Sequence, residues 1–333
     1  MSALAPWLQT SLENLLPRAG HAWLIQGSSG LGQYELSLAL AQGWLCSAPT
    51  APTAQGACGQ CASCHGIAVR VHADFRVLMP ETELMERAWP LSEKAEKEID
   101  DKKRKPSREI RVDALREMLD FCHMTRSGER GKVVMIYPAE QMNTVTANTL
   151  LKTLEEPPAD TRFILATSAA HELLPTIRSR CLVYTLNWPD SAPALAWLTE
   201  QGLPKAEAEA LLRAAGGRAH DALAFFNDGL KAKDWAGLPK LLLRGEAGWL
   251  VDAAPAMVLS VLQKLCHDMQ ALACGSTPRY FDAADLPKPS PLNTLSLWSR
   301  ELMDSARTVD HSFNPGLLLQ AWVSRAQRAL NAA

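Results

Sequence analysis

The sequence predicts an α/β protein: a mostly parallel sheet covered by helices on both faces, followed by a wholly helical C-terminal part. Three observations carry this. Up to residue 188, short apolar runs alternate with stretches of helical spacing, the pattern of strands buried on both faces. A glycine-rich turn stands between the first apolar run and the first helix. Beyond Asn187-Trp188-Pro189 only helical spacing remains, which places a domain boundary near Pro189.

Taken in order, His21 to Gln26 (HAWLIQ) predicts a buried strand ending at glycines, and Leu36 to Leu45 a helix. A Pro/Ala/Thr stretch, Ala48 to Ala54, reads as a flexible loop before a cysteine-rich segment. Phe75 to Met79 is a second strand. Residues 91–111 hold 14 charged side chains, 8 basic and 6 acidic, and are expected to be a solvated, mobile insertion without a defined function. Val112 to Met124 predicts a helix and Val133 to Tyr137 (VVMIY) a third strand. Met142, Val145, Thr149, Leu150 and Leu154 recur at helical spacing until Pro157-Pro158 stops them. Phe163 to Thr167 (FILAT) and Leu182 to Leu186 complete the strands. Seven helical stretches follow, from Leu195 to Leu330, with a second boundary expected around Asn227 to Lys233.

Composition sets limits. The 333 residues have room for two or three domains at roughly 100–200 residues each. With 47% hydrophobic and 21% charged residues the chain can build ordinary cores. Basic and acidic residues nearly balance, 34 against 36, which excludes a wholly basic nucleic-acid coat protein and leaves room for a local basic face. No apolar run approaches the roughly 18 residues of a membrane span. Met1 to Leu8 lacks the basic start and long apolar stretch of a secretory signal, so a cytoplasmic location is expected.

Gly27-Ser28-Ser29-Gly30-Leu31-Gly32-Gln33-Tyr34 follows the first strand. A phosphate-binding loop reads G-x4-G-K-[ST], with backbone N–H groups at a helix N-terminus facing the anion. Gly27 and Gly32 match. Gln33 stands where lysine would reach the β/γ-phosphates, and Tyr34 where a short hydroxyl would ligate Mg²⁺. The strand VVMI is followed by Tyr137 and Pro138 rather than by a metal-holding acid. The loop is therefore expected to be a relic that hydrolyses no nucleotide, with weak nucleotide binding by its amides left open.

Of eight cysteines, four fall in one segment as C-x11-C-x2-C-x2-C: Cys46, Cys58, Cys61 and Cys64. Two-residue gaps aim successive thiolates at one ion, and four of them close a structural zinc tetrahedron. The common iron–sulfur run would need a cysteine where Ala68 stands. His65 could replace one ligand, and four free thiols are the plain alternative. The remaining cysteines (Cys122, Cys181, Cys266, Cys274) read as small hydrophobes.

The segments ANTLLKTLEEPP (Ala147 to Pro158), FILAT and LLPTIRSRC (Leu173 to Cys181) closely resemble bacterial DNA polymerase III clamp-loader subunits of the AAA+ class. With the defective loop and four-cysteine module, they are similar to the delta-prime family within it. The resemblance implies an AAA+ core over 1–188 with a zinc module at 46–64, a small helical lid over 189–229 and a helical collar over 230–333. It implies a subunit without ATP hydrolysis of its own, assembled with gamma/tau-type ATPases and a delta-type subunit in a hetero-pentamer that loads a ring clamp onto primer-template DNA. Arg180, in the Ser-Arg-Cys motif, would project into the neighbour's nucleotide site as a trans-acting arginine. From spacing alone, without the motif, Arg180 reads first as a residue that caps a helix C-terminus or pairs with a carboxylate. Arg178 is a secondary candidate. His220 in GGRAHDAL stands where active siblings carry an arginine, and Thr167-Ser168 where they carry a polar sensor, for which local hydrogen bonding is expected here. Lys152 reads as a DNA-chamber lysine or a plain solvated one. The competing readings are an independent ATPase using Gln33 and Tyr34, and a zinc-dependent nucleic-acid module.

Overall fold

The computed structural model describes residues 4–49, 56–309 and 314–332. Most of the loop expected at Ala48 to Ala54 lies outside them. The chain forms two compact units, Met1–Trp188 and Pro189–Ala333.

The first unit holds five parallel strands: β1 (Ala22–Gln26), β2 (Phe75–Leu78), β3 (Lys132–Ile136), β4 (Thr161–Thr167) and β5 (Leu182–Thr185), in the order β2-β3-β4-β1-β5. Its helices are α1 (Pro6–Leu15), α2 (Gln33–Leu45), α3 (Ala62–Ala68), α4 (Glu81–Glu86), α5 (Glu93–Asp100), α6 (Val112–His123), α7 (Thr144–Glu155) and α8 (Pro175–Arg178). Central strands of a parallel sheet meet helices on both faces, so β3 is buried along its whole length and is apolar from Val133 onward. Leu24, Val134, Ile136, Phe163 and Leu165 of the sheet pack with Leu115 of α6, Leu150 and Leu154 of α7 and Ile177 of α8 in one cluster. Asn143 starts α7 by accepting from the Thr146 N–H at 2.9 Å, and Pro157 prevents its continuation.

The buried ammonium of Lys132 lies under the C-terminal end of α6. Its Nζ donates to the carbonyls of Phe121, Cys122 and Met124. These are carbonyls the helix leaves without partners, and a cation there also opposes the negative end of the helix dipole.

Residues 91–111 are mostly exposed, as a solvated insertion would be, but they carry a helix and paired charges. Ser92 caps α5 by accepting from the Ala95 N–H. Arg104 donates to Glu81 through Nη2 at 2.7 Å and to Glu98 through Nε at 2.7 Å. Glu81 also accepts from the Ser107 N–H at 2.7 Å. The Arg104 hydrogen bond holds the Glu81 carboxyl below the usual carboxylate range. Ile110 is fully buried. The segment is thus solvated along most of its length and tied down by Arg104 and the buried Ile110.

The second unit contains α9 (Ser191–Glu200), α10 (Lys205–Ala214), α11 (Ala219–Asn227), α12 (Ala232–Leu243), α13 (Pro255–Ala273), α14 (Leu292–Ala306) and α15 (Pro315–Leu330). α10 packs on α9, α11 and α12, and α13 packs on α14 and α15. Asp268, fully buried on α13, accepts the backbone N–H groups of Arg279, Tyr280 and Phe281 at 2.7–2.8 Å and so ties that loop to the helix. Lys264, one turn earlier, donates to the Ala214 carbonyl at 2.9 Å and lies among the rings of Phe225, Trp235 and Tyr280.

Burial, aided by the Arg218 charge, lowers the Lys264 ammonium to about 8. The unfolded chain keeps that proton up to about 10.5. Between these values the unfolded state binds more protons, so this group makes stability rise with pH, by about 3 kcal/mol at most. Lys264→Met should abolish that contribution. Denaturant unfolding of both forms at pH 7.5 and pH 10 should show the wild type gaining relative to the variant; a constant difference would count against it.

Candidate functional site

The glycine loop follows β1 at the carboxyl edge of the sheet, where open α/β sheets place ligands. Gly30 and Gly32 take left-handed φ values of 80° and 96°. At Gly32, the N-cap of α2, a Cβ would stand 2.4 Å from Leu8 Cδ1, so α1 presses directly on the loop. Gln33 is buried, and its Nε2 donates to the carbonyls of Gly27 at 2.9 Å and Ser28 at 2.8 Å. The side chain in the lysine position therefore folds back and ties the loop to itself.

The next residue begins an aromatic cluster. The Tyr34 and Tyr137 ring centroids are 5.4 Å apart, and the Arg87 guanidinium lies 4.2 Å and 5.1 Å from them. Trp89 Nε1 donates to the Tyr34 hydroxyl at 2.8 Å, and Glu83 pairs with Arg87 at 3.0 Å. Burial pushes the Tyr137 phenol up to about 12. A planar cation over two rings is a favourable electrostatic contact. Thr167 Oγ1 accepts from the Ala169 N–H, and Ser168 donates through N–H and Oγ to Glu140. In the second unit, His220 packs on Trp197 with centroids 4.9 Å apart.

Arg180 stands elsewhere. It follows α8 and precedes β5, whose Leu182 pairs with Trp23 near the start of β1. Since β1 and β5 are parallel, Arg180 is at the amino edge of the sheet and the glycine loop at the carboxyl edge. Its Nε donates to Glu155 Oε1 at 2.7 Å, Nη2 donates to the same oxygen, and Nη1 donates to the Thr176 carbonyl at 2.8 Å. The ion pair anticipated as its plain alternative is thus present. Arg178 and Lys152 are exposed. Burial pushes the Cys181 thiol up to about 12.

The four cysteine sulfurs converge within 4.8 Å of one another, with Cys46–Cys61 at 3.8 Å and Cys58–Cys64 at 3.9 Å. Four sulfurs about 2.3 Å from one zinc ion stand about 3.8 Å apart at the corners of a tetrahedron, so the cluster fits the ion. Cys61 starts α3, and the N–H groups of Cys58, Cys61 and Cys64 each donate to the preceding cluster sulfur at 3.3–3.4 Å. Burial opposes ionisation of Cys61, but hydrogen bonds from Ser47 and the Cys64 N–H outweigh it and bring the thiol down to about 5. The backbone N–H groups of Gln60 and Cys61 lower the Cys58 thiol too, whereas burial pushes Cys64 up, so Cys64 is the ligand that the charge of a bound ion would ionise; four sulfur ligands leave no open position for catalysis. Among the described residues, His65 is not part of this group.

The structure thus brings together the loop residues Gly27, Gly30, Gly32, Gln33 and Tyr34, and separately the four cysteines. Sequence reasoning missed Arg87, Glu83 and Trp89, which nothing near the loop signals, and Glu155, which lies inside a motif already singled out.

A five-stranded parallel sheet in this order, with a glycine loop after its first strand, defines a core of the AAA+ class, here followed by a helical unit. A family model described as "DNA polymerase III, delta subunit" matches residues 3–190. The DNA polymerase III subunit delta' of Pseudomonas aeruginosa is 36% identical over 73% of this chain and 68% of its own length. The subunit delta' of Escherichia coli is 33% identical over 66% of this chain and 60% of its own length. A DNA polymerase III subunit gamma of Buchnera aphidicola is 32% identical over 52% of this chain and 39% of its own length. The chain belongs to the delta-prime family of DNA polymerase III clamp-loader subunits. No helix among the described residues is long and apolar enough to cross a membrane.

Proposed function

We propose that the chain is a non-hydrolysing subunit of a replicative clamp loader that supplies Arg180 in trans to a neighbouring ATP site. The observation that carries this is the position of Arg180. It precedes β5 by two residues, opposite the start of β1, while the glycine loop follows the end of β1. At about 3.3 Å per residue the two are separated by roughly 20 Å of strand. An arginine side chain cannot span that, so Arg180 cannot serve a nucleotide at this chain's own loop, which agrees with a role at a neighbour's site. A guanidinium delivered this way offsets charge developing on the transferred phosphoryl group and makes hydrolysis depend on subunit arrangement.

The loop supports the other half of the reading. Gln33 has no cation to offer a phosphate, and the rings of Tyr34 and Tyr137 stand where a hydroxyl and a carboxylate would hold Mg²⁺. Zinc on the four thiolates would stiffen residues 46–64, since a closed metal site contributes folding free energy. Within the second unit, α9–α11 would serve as the lid and α12–α15 as the collar that joins gamma/tau-type and delta-type subunits in a pentamer. The complex would load a ring clamp onto primed DNA in the cytoplasm.

The test is ATP turnover. The purified chain alone should show none above a Gln33→Ala variant. Adding it to gamma-type and delta-type subunits with clamp and primed DNA should raise turnover. Hydrolysis by the chain alone that disappears in Gln33→Ala would overturn the reading in favour of an independent ATPase.

A further inference from the structure

We infer that Glu155 is a positioning residue that holds the Arg180 guanidinium in the orientation from which it reaches the neighbour's phosphates. This rests on the trans-arginine reading above and goes beyond it by assigning a second residue.

The geometry has three parts. First, the guanidinium is held along its edges. Nε and Nη2 both donate to Glu155 Oε1, and Nη1 donates to the Thr176 carbonyl at 2.8 Å. A guanidinium has five N–H donors. Nη2 therefore keeps one N–H, and the second N–H of Nη1 has only the 3.5 Å approach of Ser179 Oγ among the described contacts. An incoming phosphate can be met without breaking the Glu155 contact.

Second, both holding groups stand on a rigid base. Glu155 is the last residue of α7 and follows Leu154, which is 1% exposed; the Leu154 carbonyl is itself engaged by His21 Nε2 at 3.1 Å. Thr176 lies in α8 beside Ile177, which is fully buried in the same core cluster as Leu154. The backbones that carry the two acceptors cannot drift apart without disturbing that core.

Third, the pair is too exposed to act through stability. The side chains of Arg180 and Glu155 are 30% and 48% exposed. Ion pairs so placed contribute little to folding, but they restrict a long flexible side chain to one direction. A planar fork held in advance loses less freedom when it meets a phosphate.

The experiment uses the complete loader, assembled with gamma-type and delta-type subunits, clamp and primed DNA. It compares wild type, Glu155→Ala, Glu155→Gln, Arg180→Ala and the Glu155→Ala/Arg180→Ala pair, each checked for equal assembly and unchanged melting temperature. Glu155→Ala should slow hydrolysis at the site facing Arg180, read as its single-turnover phase, by about ten-fold with ATP affinity unchanged, because misplacing a transition-state group costs turnover rather than binding. Glu155→Gln keeps an accepting oxygen and should restore most of the loss. The double variant should be no slower than Arg180→Ala alone. A wild-type or faster phase in Glu155→Ala, with Arg180→Ala slow, would overturn the assignment while leaving the trans arginine in place. An Arg180→Ala loader at wild-type rate would remove both. Additive losses in the double variant would show that Glu155 acts independently of Arg180 and would also overturn it.

Discussion

Replacing Arg180 by alanine is expected to slow hydrolysis at the neighbouring ATP site by about 10³-fold or more while the loader still assembles. The magnitude follows from what the side chain supplies. Charge grows on the transferred phosphoryl oxygens in the transition state, and a fixed cation in a water-poor interface stabilises it more than it stabilises bound ATP. The chain's own fold should barely notice. The pair with Glu155 is part-exposed, and the remaining contacts are a carbonyl of α8 and a distant hydroxyl. Arg180→Lys should recover little, because an ammonium cannot hold the side contact to Glu155 and the Thr176 carbonyl while presenting a further N–H pair. Single-turnover hydrolysis by the assembled loader, with assembly checked by gel filtration, measures this. A loader that fails to assemble with Arg180→Ala would instead make this arginine an interface residue.

Replacing Cys61 by serine is expected to empty the metal site and loosen residues 46–66, leaving the parallel sheet folded. Cys61 is central to the cluster: its sulfur lies 3.8 Å from that of Cys46, it caps α3, and it accepts from the Cys64 N–H. A hydroxyl is a poor substitute for thiolate as a zinc ligand, and a structural zinc module owes much of its order to the metal. The sheet rests on a separate cluster formed by β1, β3, β4, α6 and α7, so the damage should stay local. Metal analysis of the purified variant should show zinc well below one per chain, and limited proteolysis should cut within 46–66. Stoichiometric zinc in the variant would refute the ligand assignment.

How much was legible in the sequence depended on how local the cause was. Strands buried on both faces are continuous apolar runs, so β1, β3 and β4 could be read directly. The cysteines could be read because metal geometry dictates short spacings. Partners far apart in the chain could not. Arg104 and Glu81 are 23 residues apart, and without that pair residues 91–111 look like an insertion without local structure. Trp89 meets Tyr34 across 55 residues, so the aromatic cluster beside the loop had no local signal. Glu155 meets Arg180 across 25 residues; both lay in motifs already singled out, but only the fold shows that they touch. Lys132 begins an apolar strand, and its burial makes sense only once the end of α6 is placed above it. Short helices such as α3 and α4 were missed because six or seven residues carry too little periodicity.

In the proposed function this chain acts on ATP only through its neighbour. The most direct measurement is the burst of ATP hydrolysed in one turnover by loaders of equal assembly carrying either the wild-type chain or Arg180→Ala. The variant burst should be smaller by one ATP per loader, the site facing Arg180 falling silent. A burst of unchanged size and rate would contradict it and leave Arg180 as one half of a surface ion pair.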